Sequence, residues 1–345
     1  ECSCPAVSPW PLVAAALLLS IAHFALCCFI HNVTNAVSMP RAAQKTLNLL
    51  TLAVAVAGPT AAMVYLAYLA GSGNWPAGVA EMAQVLSPWG QARVLVLAYL
   101  GVCAMIALTA VPWFILRHHL YRLPSAVTHV HSAVIDVQRH LGTSLSAQSP
   151  RGWLVRMPGN ESLQLEVCEK QFRLPGLDPR LAGLSIAHLS DLHFTGKIER
   201  AYFEEVVDRA NALHADFIAI TGDLLDKSHL VQWLPPTVGR LTAPLGVYCV
   251  LGNHDRRVKL PPLRQMLDAL KIEALGGRAV IIERRGAPIL LAGNELPWFG
   301  PAADLPQRQP KQKLPLRILL SHSPDQIHWA RRHHFDLMLA GYTHG

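Results

Sequence analysis

Charged residues are almost absent from the first third of the sequence. Up to about Leu116 they are Glu1, Arg41, Lys45, Glu81 and Arg93. The overall hydrophobic content of 51% therefore hides a division between an apolar first part and a charged second part. This division excludes a single soluble domain of uniform composition and predicts at least two structural regions.

Cysteines are few and scattered, which argues against a disulfide framework. Of the seven, three lie in apolar stretches, two in predicted strands and two at the N-terminus: Cys27, Cys28, Cys103, Cys168, Cys249, Cys2 and Cys4. None has partners at the spacing of zinc ligands. We expect inert thiols and no cysteine metal site.

The sequence also lacks an Arg-rich helix or a basic run interleaved with aromatic residues, so no nucleic-acid partner is indicated. Its formal charge of +7 belongs mostly to the second part of the chain and to segments flanking the apolar runs. Such a surplus suits contact with anionic lipid headgroups or phosphorylated substrates and by itself specifies neither.

Three apolar runs are long enough to cross a bilayer, which takes about 20 residues. They are Trp10–Ile30, Leu47–Ala70 and Val94–Leu116. A cleaved signal peptide is an alternative for the first run alone, but that run lacks a basic leading segment and two more follow. We predict an all-α transmembrane region over residues 1–120, with helices at about 10–30, 47–70 and 94–116.

Lys and Arg in the connections predict the orientation. Arg41 and Lys45 lie in the first connection, and Arg117 and Arg122 follow the third run, whereas the second connection carries only Glu81. This bias places the N-terminus outside and the charged part in the cytoplasm. His23, within the first run, is expected to hydrogen-bond to a neighbouring helix; a functional role is the alternative.

Residues 121–165 form a predicted connector. Ala126–Leu141 has modest helical periodicity, and Ser144–Pro150 is rich in turn residues. His129 and His131 would lie on different faces of that helix, so we expect solvated histidines there and no metal site.

From about Glu166, short β-branched runs alternate with helical stretches, which is typical of a layered α/β fold. The predicted strands are Leu184–Leu189, Phe217–Thr221, Val247–Leu251, Val280–Ile282, Ile289–Ala292, Ile318–Leu320 and Leu337–Ala340. Arg200–His214 has an apolar helical face, and Pro261 suits the first turn of a second helix that ends near Lys271.

Polar residues follow five of these strands directly. The segments are Ser190-Asp191-Leu192-His193, Gly222-Asp223, Gly252-Asn253-His254-Asp255, Ser321-His322 and Gly341-Tyr342-Thr343-His344. Ligands bind at the carboxyl ends of strands in α/β sheets. Carboxylates, imidazoles and an amide without thiolates suit Mn, Fe, Zn or Co, and two such ions serve displacement at phosphorus. Turn residues alone would favour Asp, Asn and Gly at any single position, but not this whole set.

In this order the motifs D-x-H, G-D, G-N-H-D, S-H and G-x-T-H resemble the calcineurin-like metallophosphoesterase superfamily, in particular its membrane-associated bacterial, YkuE-like branch. The resemblance covers about Leu184 to Gly345 and does not extend to the apolar region. It implies a four-layer α+β sandwich over residues 166–345, truncated at its C-terminus, and a bacterial-type inner membrane location.

The resemblance also implies roles for individual residues. Asp191, His193 and His344 would hold one divalent ion, Asp223 would bridge two, and Asn253 and His322 would hold the second. His254 would act on the substrate phosphate as general acid, and Asp255 would orient it. Arg256 is a candidate contact for a substrate anion, with a solvated surface residue as the alternative.

Tyr342 departs from the family pattern, which has His at this position. A phenol is a poor ligand for Zn or Mn. The second ion site would be weakened, or Tyr342 would bind iron as a phenolate, or the residue is a one-base change from His.

We therefore expect a membrane-anchored phosphoesterase for a phosphomonoester or phosphodiester, such as a phospholipid or nucleotide-linked lipid, hydrolysed by a metal-bridging hydroxide. A non-catalytic binding module is the alternative that Tyr342 favours. The role of Glu295–Phe299 stays open between a substrate wall and an aromatic core plug. Asp226 is expected to cap the segment that follows it.

Overall fold

The computed structural model describes residues 10–36, 41–73, 92–120, 124–145, 159–305 and 316–343. The chain folds into two compact units, Glu1–Leu123 and Pro124–Gly345. The predicted ligand His344 and the predicted turn-rich segment beyond Leu145 lie outside the described residues.

The described part of the first unit contains three long helices. They are α1 (Trp10–Ala36), α2 (Arg41–Ser72) and α3 (Ala92–Leu120). By length and composition two segments of these described residues can cross a membrane, Val13–Thr34 and Ala43–Ser72; in α3 the apolar stretch is the shorter Leu97–Thr109. Large apolar side chains on these helices are exposed, for example Leu108 at 77%. Three spans therefore stay a prediction.

His23 connects the helices of the first unit. Its Nε2 lies 2.9 Å from the carbonyl oxygen of Val54 on α2, and its Nδ1 contacts the hydroxyl of Tyr99 on α3. A Cβ at Gly58 would lie only 3.0 Å from the imidazole, so the glycine leaves space for the ring. The prediction that His23 hydrogen-bonds to a neighbouring helix is confirmed.

A two-stranded antiparallel ribbon opens the second unit. Strand β1 (Val127–Asp136) pairs with β2 (Gln164–Phe172), and the short helix α4 (Val137–Leu141) follows β1. The predicted helix over Ala126–Leu141 is wrong for most of its length, because the β-branched residues of this segment pair with a strand almost 30 residues away. Alternation along a strand places His129 and His131 on one face, where both are exposed.

Two sheets of four strands and three further helices form the rest of the unit within the residues that the structure describes. Their elements are β3 (Ile186–Leu189), α5 (Arg200–Ala212), β4 (Phe217–Thr221), β5 (Val247–Val250), α6 (Leu260–Ala269), β6 (Ile272–Ala274), β7 (Ala279–Arg284), β8 (Ala287–Asn294), β9 (Leu316–Ser321), α7 (Ile327–Arg332) and β10 (Leu337–Ala340). One sheet has the order β3-β4-β5-β6 and is parallel. The other has the order β10-β9-β8-β7, with only β7 antiparallel.

The two sheets pack face to face, with helices outside them. Strand β4 shows why, since all five of its residues are buried and successive side chains point to opposite faces. Phe217 and Ala219 pack against β8 and β9 of the other sheet. Ile218 and Ile220 pack against α5 and α6. Helix α7 covers the far side of the second sheet through Ala330, so the predicted four-layer sandwich is confirmed.

Candidate metal centre

The five predicted polar segments meet at one edge of the sandwich. Strands β3, β4 and β5 run parallel, as do β9 and β10, so within each sheet their carboxyl ends share an edge. The Nδ1 atom of His322, after β9, lies 2.7 Å from the carbonyl oxygen of Thr221 at the end of β4. This contact joins the carboxyl ends of the two sheets into one site.

The Asp223 carboxylate is the centre of this site. Its Oδ2 lies 3.3 Å from His322 Nε2 and 3.6 Å from His193 Nε2. His322 Nε2 also lies 3.0 Å from the amide oxygen of Asn253. Asp191 Oδ1 lies 3.8 Å from His193 Nε2. Four of the six predicted ligands are therefore gathered around a fifth, the Asp223 carboxylate, which is 2% exposed.

Two overlapping groups of side chains can each hold a metal ion, because their ligand atoms lie within 4.8 Å of one another. The groups are Asp191, Asp223 and His322, and His193, Asp223 and His254. Asp223 belongs to both, as a bridging ligand would. Imidazoles, carboxylates and an amide oxygen form the donor set of borderline divalent ions, so the residues present fit the expected cofactor.

Strained backbone directs these side chains into the site. Asp191, His193, Asp223 and Tyr342 have φ values of 55°, 46°, 56° and 71°, in a region that costs a residue with a Cβ about 1–2 kcal/mol. Hydrogen bonds between neighbouring turns hold them there: Asp191 N–H donates to Gly222 and His193 N–H to Asp223, at 3.1 and 2.9 Å. Such strain is concentrated at functional sites.

Two glycines leave the space that the carboxylates occupy. A Cβ on Gly252 would lie 2.3 Å from Asp223 Oδ1, and a Cβ on Gly341 would lie 2.8 Å from Asp191 Oδ2. Neither distance is compatible with a side chain. Glycine is therefore required at both positions, because the carboxylates lie so close to the backbone.

The structure adds Asp226 to the site. Its carboxylate lies 3.0 Å from His193 Nδ1 and 2.6 Å from His254 Nδ1, and it accepts a hydrogen bond of 2.5 Å from Arg257. The prediction that Asp226 caps the following segment is wrong. Its position three residues after Asp223, in the same turn, is the sequence signal that could have placed it here.

Asp255 does not contact the His254 ring, so its expected orienting role is wrong. Its carboxylate is fully buried and accepts four backbone hydrogen bonds. The donors are Asp223 and Gly252, at 2.9 Å, and Leu224 and Leu225, at 3.0 Å. Asp255 therefore ties the turn after β4 to the turn after β5, while Asp226 is the carboxylate that faces His254.

The charges of the site favour a cation. Burial acts to lower the pKa of His193 and His322, but nearby carboxylates reverse this. Asp226 and Asp223 raise the pKa of His193, and Asp223 raises that of His322. Burial acts to raise the pKa of Asp223 and Asp226, yet the imidazoles beside them lower both. The carboxylates thus attract positive charge, which a divalent cation supplies in place of imidazole protons.

Tyr342 lies beside His322. In the contacts that the structure describes, its side chain does not occupy the position of a metal-binding imidazole. Its N–H donates to Asp191 Oδ2 at 3.1 Å, and its ring packs edge-on against His322, with centroids 5.7 Å apart. Trp298 stacks on the other side of Tyr342 at 5.7 Å. Burial and the charges of Asp325 and Asp223 raise the pKa of Tyr342, so its phenol stays neutral.

Arg257 reaches the site from the short 3₁₀ turn His254–Arg257. Its guanidinium lies 2.6 Å from His254 Nδ1. Arg256, the predicted anion contact, lies on the same turn, and its role stays a prediction.

Known proteins are similar to this chain over about half of its length. Residues 184–345 match the family model of calcineurin-like phosphoesterase. A metallophosphoesterase of Helicobacter pylori is 29% identical over 47% of this chain and 44% of its own. The UDP-2,3-diacylglucosamine pyrophosphatase LpxG of Chlamydia muridarum is 23% identical over 52% of this chain and 69% of its own.

A transmembrane protein with metallophosphoesterase domain from Danio rerio is 29% identical over 52% of this chain and 44% of its own. The chain thus spans less than half the length of two of these three relatives. Because the relatives come from bacteria and from a vertebrate, they establish neither the YkuE-like branch nor a bacterial location. These two assignments stay predictions. Residues 184–345, with their motifs and their sandwich, form a domain that matches the calcineurin-like phosphoesterases.

Proposed function

We propose that the chain hydrolyses a phosphomonoester or phosphodiester with two divalent ions held around Asp223. The observation that carries the proposal is the position of the Asp223 carboxylate, whose Oδ2 lies 3.6 Å from His193 Nε2 and 3.3 Å from His322 Nε2. Asp191 and His193, together with His344 as the family pattern implies, hold the first ion, and Asn253 and His322 the second. When bound, such a pair neutralises phosphoryl charge and acidifies water for attack on phosphorus.

His254 is the proposed proton donor to the leaving oxygen. Its Nδ1 faces the Asp226 carboxylate at 2.6 Å, so Nε2 is the nitrogen left to give a proton to substrate. The contact with Asp226 holds the ring in one orientation, as proton donation at a fixed position requires. His254 N–H also donates to Asp223 Oδ1 at 2.8 Å, which fixes the distance between the acid and the centre.

We further propose that the first unit anchors the enzyme in a membrane, with three spans, the N-terminus outside and the phosphoesterase domain in the cytoplasm. Its helices carry exposed apolar side chains, and one relative is named a transmembrane protein. A tethered site favours an amphiphilic ester. The name of LpxG, which specifies a nucleotide-linked lipid, supports this substrate class.

A non-catalytic binding module is the second candidate, and Tyr342 is the observation that favours it. A neutral phenol at the position of an expected histidine ligand removes one donor from the second ion site. In that case the domain would bind a phosphorylated ligand or one metal ion without turnover.

The test uses the full chain, purified in detergent. Metal content and hydrolysis of bis(p-nitrophenyl) phosphate in Mn²⁺ are measured for the wild type, Tyr342→His and Asp226→Asn. We expect turnover in the wild type, more turnover and a second ion in Tyr342→His, and kcat lower by about 100-fold in Asp226→Asn with little change in KM. No turnover in any variant, Tyr342→His included, would overturn the enzyme proposal in favour of the binding module.

A further inference from the structure

The aromatic residues beside the metal centre are divided between core and surface. Phe299 packs against the main apolar cluster of the domain. Trp298 belongs to none of the apolar clusters among the described residues, and its ring contacts are His322, at 5.3 Å between centroids, and Tyr342, at 5.7 Å. A core plug would be enclosed by aliphatic side chains, whereas Trp298 is partly exposed.

Trp298 and Tyr342 form one continuous aromatic surface. Their rings are inclined by only 28°, both are partly exposed, and both contact the fully buried His322. We call this pair the Trp298–Tyr342 platform. Because it touches a candidate metal ligand, the organic group of any phosphoester held at the centre lies within reach of it.

The platform is held in place by its own segments. The N–H groups of Trp298 and Phe299 both donate to the Glu295 carbonyl oxygen at 3.1 Å. The Glu295 carboxylate in turn accepts the N–H of Leu251 at 2.7 Å, directly before the Gly252-Asn253-His254 turn. On the other side, Tyr342 N–H is bonded to Asp191. The rings are therefore preorganised relative to the centre, which lowers the cost of binding.

From this geometry we infer that the Trp298–Tyr342 platform is a substrate subsite that selects phosphoesters carrying a flat aromatic ring, such as a nucleobase or an aryl group. The inference deepens the proposed function and rests on it. Stacking between aromatic rings contributes binding energy beyond that from the buried area, and every kind of nucleobase can stack on Trp and Tyr. A saturated group of the same size would gain binding energy from buried area but none from stacking.

The kinetic test uses two diesters with the same leaving group, phenyl p-nitrophenyl phosphate and cyclohexyl p-nitrophenyl phosphate, in Mn²⁺. We expect the wild type to prefer the phenyl ester in kcat/KM by about fivefold, through KM. Trp298→Ala should reduce this ratio to about one, while Trp298→Phe and Tyr342→Phe, which keep flat rings, should retain it. Trp329→Ala, a partly buried tryptophan that packs on His333 and Phe335 away from the centre, is the matched control and should also retain it.

The binding test needs no turnover. Calorimetric titration in Mn²⁺ should give uridine monophosphate an affinity about tenfold higher than ribose 5-phosphate, and Trp298→Ala should remove the difference. Equal affinities in the wild type, or a phenyl preference that survives Trp298→Ala, would overturn the inference while leaving the phosphoesterase proposal intact. Absence of turnover with both diesters would instead count against the phosphoesterase proposal, and the titration would still decide whether the ring-binding subsite exists.

Discussion

Replacing Asp255 by asparagine tests whether this carboxylate holds two turns of the metal centre together. In the wild type it accepts four backbone N–H groups from a fully buried position. Asparagine has a carboxamide of nearly the same shape, but only its oxygen accepts hydrogen bonds. If that oxygen keeps two of the N–H groups, the amide nitrogen is forced against the other two.

The magnitude follows from the two N–H groups that lose their acceptor. A buried donor without a partner costs about 1–3 kcal/mol, so the pair costs about 4 kcal/mol. A domain is stable by about 5–15 kcal/mol, which makes this loss a large fraction of the total. Metal affinity should fall as well, because two of the four donors are the N–H groups of Asp223 and Gly252, in the turns that carry the ligands.

Guanidinium unfolding of the full chain in detergent, followed by tryptophan fluorescence, measures the loss. Asp208→Asn is the matched control, because Asp208 pairs with Arg240 on the surface and an exposed pair contributes at most about 1 kcal/mol. Asp226→Asn should lower activity with a smaller effect on stability, since its partners are side chains. An Asp255→Asn protein as stable as Asp208→Asn would refute the argument.

Two further predictions concern close approach and charge. Gly252→Ala should abolish turnover and weaken metal binding measured by titration, because its Cβ would lie 2.3 Å from the Asp223 carboxylate; Gly101→Ala, with open space around the position, should change neither. Burial acts to raise the pKa of Asp216, but Ser185 and Arg284 bring it below its ordinary value. The charged carboxylate therefore stabilises the fold above its unfolded pKa, and this contribution disappears as the pH falls through the folded pKa. The melting temperature of Asp216→Asn should accordingly lie below that of the wild type at pH 7, with the gap closing in acid; a gap independent of pH would contradict the assignment.

The layered fold could be predicted because its strands are short, β-branched and bounded by turn residues. Phe217–Thr221 and Leu337–Ala340 have the same bounds in the structure as in the prediction. The segment Ala126–Leu141 was assigned wrongly for a definite reason. Strand β1 is stabilised by β2, whose residues lie far along the chain, and local periodicity carries no information about a distant partner.

The candidate ligands were also accessible from the sequence. Asp191, Asp223 and His322 each lie within two residues of the end of a strand, and the carboxyl ends of parallel strands share an edge whatever the details of the loops. The chemical types at those ends, with no thiolate among them, predict a site for divalent metal ions. These conclusions need only the order of strands and the identity of the residue after each.

Which neighbouring polar side chain enters the site was decided by the tertiary structure alone. Asp226 rather than Asp255 faces His254, and Arg257 reaches the same ring. The direction of a side chain in a turn depends on single φ values and on contacts between turns that are far apart in the chain. The sequence by itself determined which kinds of atoms gather at the sheet edge, and the packing of one turn against another determined where each of them points.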